Sequence, residues 1–138
     1  MAQRTYTKTF NVKSLEEFIE DLKKVRSQYD EEEEAAFAAS MIFTWLGIIG
    51  GPGGVCVTAS ILTGALAYYY DTVQNTITTA ISVLEKYKDY LQNHSNYDLV
   101  KLEVICDVKR VNNTTYLIPV DFKAVALHSL NPSGWIML

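Results

Sequence analysis

Positive charge is sparse in this chain, and that absence narrows the possible functions first. Its 138 residues carry 12 lysines and arginines against 16 aspartates and glutamates, a net charge of −4. The basic residues are scattered, with one small cluster at Lys23, Lys24 and Arg26. Phosphate backbones demand concentrated positive charge, so nucleic acid is not an expected partner. Cysteine is also scarce, with only Cys56 and Cys106. Two thiols build no disulfide framework, and both read as buried free cysteines.

Histidine is limited to His94 and His128, and neither has a cysteine, histidine or carboxylate beside it at metal-ligand spacing. Cys56 sits in an apolar run, where a thiol stays protonated and inert. The acidic run Asp30 to Glu34 reads as one solvated stretch, not a paired acid and base. No catalytic, cofactor-binding or metal-ligating residue is assigned, and the expectation is a protein without enzymatic activity. The opening Met1-Ala-Gln-Arg-Thr-Tyr has no apolar core of a cleavable secretion signal. The glycosylation-like triplets at Asn93, Asn112 and Asn113 are therefore read as chance matches.

The most informative absence is local. From Ala35 to Tyr70 no residue is charged. Gly50, Gly51, Pro52, Gly53 and Gly54 divide this stretch, and a proline among four glycines ends a helix and allows a reversal. The lysine and hydroxyl residue that complete a phosphate-binding loop are missing, so the segment reads as a turn.

Around it the periodicities are clear. Residues 4–12 alternate as a strand through Tyr6, Phe10 and Val12. Ser14 with Glu17 has the spacing of a capping box, so a helix is expected to start at Ser14. Its buried stripe is Leu15, Phe18, Ile19, Leu22, Val25 and Tyr29. Nothing stops that helix before the glycines. A second helix is expected from about Val55 to Leu91, with a seam from Leu62 and Leu66 through Tyr69, Val73, Ile77, Ala80 and Leu84. After His94 the period changes to two: Val100, Leu102, Val104, Cys106 and Val108 mark one face of a strand. Asn112-Asn113 reads as a hairpin turn, Pro119 as an edge or bulge, and Trp135 to Leu138 as a short last strand.

The expected fold is α+β and a single domain over residues 1–138. A long antiparallel two-helix hairpin spans 14–92 with its turn at 50–54, and 4–12 and 99–138 form a small antiparallel sheet as base. The element order is β-α-α-β-β-(β). Met41, Ile42, Phe43, Trp45, Leu46, Ile48 and Ile49 on one arm would form its apolar tip. Val55, Val57, Ile61, Leu62 and Leu66 on the other arm would complete it. Tyr68, Tyr69 and Tyr70 stand where that tip meets charge, as aromatic residues do at a membrane interface.

Such a tip needs covering. One expectation is a bilayer-inserting hairpin, acting as an anchor or a self-associating, pore-forming assembly, with both termini cytoplasmic. Its rival is a soluble, cytoplasmic homo-oligomer serving as a binding or scaffold protein, with the tip as oligomer core. Self-association is common to both, and no small-molecule ligand is specified.

Overall fold

The local chemistry at Asn11 decides where the first helix begins. In the computed structural model, which describes residues 3–28, 55–56 and 64–138, Asn11 Oδ1 accepts the Ser14 N–H at 2.8 Å. Ser14 Oγ accepts the Asn11 N–H at 2.9 Å. This is a reciprocal cap with asparagine as the capping residue and serine three positions inside, so the cap lies three residues before the one that Ser14 and Glu17 suggest. Helix α1 runs Val12–Gln28 after strand β1, Gln3–Phe10.

The expected long hairpin is not what forms. Val55–Cys56, immediately after Gly54 in the sequence, is strand β2 and pairs in parallel with the sheet at Tyr116 and Leu117. The chain there lies on the sheet, not at the far end of a helical arm. Helix α2 starts at Tyr70 and ends at Asn93, preceded by a 3-10 turn at Ala67–Tyr69. That turn is held by Ala67 N–H to the Gly64 carbonyl at 3.1 Å and Tyr69 N–H to Leu66 at 2.9 Å. Two features of the sequence account for the difference. Val55-Cys-Val-Thr is rich in β-branched residues that favour extended chain, and Gly64 interrupts helix propensity inside the apparent seam.

Among the described residues α1 covers 17 and α2 has 24. At 1.5 Å per residue these described spans are roughly 26 and 36 Å. Among the described residues no helix is long and apolar enough to cross a membrane. The transmembrane helical hairpin is therefore corrected: among the described residues α1 and α2 pack with the sheet, and strand β2 and the 3-10 turn stand where one continuous second arm was expected. They do run antiparallel, with Glu16 bonded to Gln92 at 3.1 Å and Lys23 to Glu85 at 2.7 Å.

With β2 set between the two helices, the described order is β-α-β-α-β-β-β, and the three C-terminal strands follow one another as expected. Strands β3 (Tyr97–Val111) and β4 (Thr114–Leu130) form a long hairpin, with β1 antiparallel to β3. Strand β5 (Ser133–Met137) lies antiparallel to the far end of β4. Asn112 and Asn113 both have positive φ, 49° and 66°, as the favoured two-residue hairpin turn requires. Pro119 pairs with Cys106 at a register shift, the bulge that a residue without an N–H imposes.

One core joins these layers. Leu15, Phe18, Ile19 and Leu22 of α1 and Val73, Ile77, Ala80 and Leu84 of α2 are buried, as are Val100, Leu102, Val104 and Phe122 of the sheet. The Phe10 and Phe18 rings stack at 5.8 Å across the β1–α1 junction. Each such large side chain contributes about 1.5–3 kcal/mol through its removal from water.

Candidate interaction surface at the edge of the sheet

Strand β5 is short, but its position is well fixed. Asn96, between α2 and β3, receives the Leu130 N–H on its carbonyl at 2.8 Å and the Asn131 N–H on its side chain at 3.0 Å. Its own amide donates to Ser129 Oγ at 3.4 Å, and that hydroxyl donates to the Pro132 carbonyl at 2.7 Å. These bonds fix the turn that delivers β5 to the sheet. Its register then places Trp135 beside His128, Ile136 beside Leu127 and Met137 beside Ala126.

Around Trp135 three polar or charged groups converge. The His128 ring lies 5.2 Å from the indole at 65°. Lys101 Nζ stands 4.5 Å from the indole centroid, within cation–π range. Asp98 Oδ1 is 2.6 Å from His128 Nδ1. A carboxylate at Nδ1 holds the proton on that nitrogen and orients the imidazole, the positioning half of a histidine-assisted reaction. The other half is missing from this cluster. Its neighbouring hydroxyl, Ser129, is buried and bonded to Pro132, and no group of three metal-capable side chains occurs among the described residues. The arrangement stiffens a surface, and it can bind.

That surface is apolar and open. Leu130, Trp135, Ile136, Met137 and Leu138 are exposed, Met137 most of all at 74%. No charged side chain occurs from Leu130 to Leu138. Beyond β5, no further strand pairs with it among the described residues, so one row of its backbone groups faces outward. The opposite edge, β1, carries Arg4 and Lys8, the type of residue that discourages strand addition. The two edges of one sheet thus have opposite character.

At the other end of the sheet lies a buried carboxylate. Asp107 accepts a hydrogen bond from Tyr69 Oη at 2.6 Å and another from Gln3 Nε2 at 2.8 Å. Burial, then the Asp107 bond and charge, hold the Tyr69 hydroxyl well above its ordinary pKa. With both oxygens engaged, this group clamps β1 and the start of α2 to β3.

The residues singled out from sequence are distributed unevenly. Met41, Ile42, Phe43, Trp45, Leu46, Ile48, Ile49, Gly50 to Gly54, Val57, Ile61 and Leu62 lie outside the described residues. Val55 is on the sheet, and Leu66 is in the core. The three tyrosines do not share an environment: Tyr68 is exposed, Tyr69 is buried against Asp107, and Tyr70 is half-buried and bonded to Gln74. Sequence reasoning did not find the pairing of Asp98 with His128, or Lys101 with Trp135. Local spacing cannot show partners on opposite strands. Counting back equally from Asn112-Asn113 would have brought Asp98 within one position of His128.

No protein-family model, curated protein or solved structure matches the chain.

Proposed function

We propose that this protein acts without catalysis, as a self-associating binding or scaffold protein whose copies meet along β5. The observation that carries the reading is the exposed, uncharged, apolar strand at one edge of the sheet. Unpaired backbone on an apolar edge invites pairing, and proteins that avoid pairing blunt such edges with charge. This chain does so at β1 and not at β5. An antiparallel contact of β5 with β5 of a second copy is isologous: Trp135 on the two-fold axis meets its own mate, and Gly134 and Ile136 of one copy meet Ile136 and Gly134 of the other. For a molecule of net charge −4, an uncharged contact strand brings no like charges together. Centred on Trp135, the pairing joins two sheets into one, with the two indoles adjacent on the face that also carries His128 and Lys101.

Light scattering coupled to gel filtration tests this. The expected mass is twice the 15.5 kDa of the chain, falling to the single-chain mass in Ile136→Lys and Trp135→Lys. A monomer at all concentrations, or a dimer that both variants leave intact, refutes the reading.

A further inference from the structure

Helix α2 carries an uncharged polar stripe where an apolar or charged one would be more stabilising. Thr72, Asn75, Thr76 and Thr79 recur at helical spacing and line a recess of about 270 Å³ between α2 and β4. Val120, Asp121 and Phe122 form the opposite wall. Threonine is a poor helix former, and Thr76 is buried at 4% exposure. Its hydroxyl donates to the Thr72 carbonyl at 2.8 Å, a carbonyl that the helix can already satisfy from its own backbone. A valine would fill that place without a hydroxyl to desolvate. The rest of the helix surface uses charge freely, at Asp71, Glu85, Lys86, Lys88 and Asp89. A stripe that departs from local preference and faces a cavity is best explained by what the cavity takes.

We propose that the recess binds a small polyhydroxylated ligand of about monosaccharide size, with a cationic amine favoured. The volume fits that size: at about 30 Å³ per water the recess holds roughly nine waters, enough room for a monosaccharide. The lining sets the chemistry. The Thr72 and Thr79 hydroxyls and the Asn75 carboxamide can each donate and accept, and Thr76 Oγ1, its proton already given to the Thr72 carbonyl, can still accept; this set matches a molecule bearing several hydroxyl groups. No basic side chain lines the recess, which disfavours anions. Asp121 is its one charged group; one of its oxygens already accepts the Phe122 N–H at 2.9 Å, and its negative charge favours an amine. The site is separate from β5 and does not depend on self-association.

The test is a titration of the ¹⁵N-labelled full chain with D-glucosamine, D-glucose and inorganic phosphate, read by amide shifts. Saturable shifts at Thr72 to Thr79 and Val120 to Phe122 are expected for both sugars, tighter for glucosamine, and absent for phosphate. Asn75→Leu, at an exposed position, should weaken both sugars by about tenfold while the remaining spectrum stays in place. Asp121→Asn should bring glucosamine down to the affinity of glucose. The proposal is overturned if neither sugar saturates shifts at these residues or if phosphate does. An unchanged preference for the amine in Asp121→Asn overturns its second part.

Discussion

Replacing Tyr69 with phenylalanine removes one oxygen and leaves the ring, so it isolates the bond to Asp107. The carboxylate is 7% exposed and has two protein donors, Tyr69 at 2.6 Å and Gln3 at 2.8 Å. A hydrogen bond to a charged group contributes about 1.5–3 kcal/mol net, and burial leaves little water to replace it. Tyr69→Phe should therefore cost about 2 kcal/mol, a large share of the 5–15 kcal/mol typical of a domain. With a urea slope of about 1–3 kcal/mol per molar, the unfolding midpoint should fall by roughly 1 M. The pH dependence supplies a second reading. Tyr69 has its pKa raised by folding from an ordinary 10.0, so its contribution is fully present below pH 10. It is lost as pH rises above that value, because the unfolded chain ionises first. The phenylalanine variant should lack this part of the alkaline decline. Urea melts at neutral and alkaline pH measure both effects. A loss below about 0.5 kcal/mol, or an identical alkaline slope in the two proteins, would show that the clamp contributes nothing.

Other substitutions examine the remaining links from sequence to fold. Asn11→Ala removes the helix cap and should cost about 1 kcal/mol in the same melts, more than Glu17→Ala, because asparagine is the cap. Phe18→Ala empties a fully buried site under Phe10 and should cost about 3–5 kcal/mol. Lys23→Ala, by contrast, breaks an ion pair whose side chains are 57% and 43% exposed, and the midpoint should hardly move.

Periodicity exposed those parts of the fold governed by short-range rules. The stripe Leu15, Phe18, Ile19, Leu22, the alternation from Val100 to Cys106 and the turn at Asn112-Asn113 are all present. The helix start was legible in kind but displaced, because asparagine and serine three apart form the same reciprocal cap as serine and glutamate. The hairpin was misread for a different reason. An apolar run shows helical spacing by chance when nearly every position is apolar, so the seam extended backwards through Gly64 into a segment that includes a sheet strand. Val55, expected on the second helical arm, lies beside Tyr116 in the sheet. The edge surface was hidden because exposure depends on which strand ends the sheet. Trp135 was legible as a strand residue, but its open side was not.

Hydrogen exchange along Ser133 to Met137 as a function of protein concentration tests the self-association of β5 most directly. The amides of this strand that do not bond to β4 should be protected at high concentration and lose that protection on dilution, while β3 and β4 stay protected throughout. Rapid exchange of those outward amides at every concentration, from a protein that is otherwise folded, would contradict the pairing and with it the proposed function.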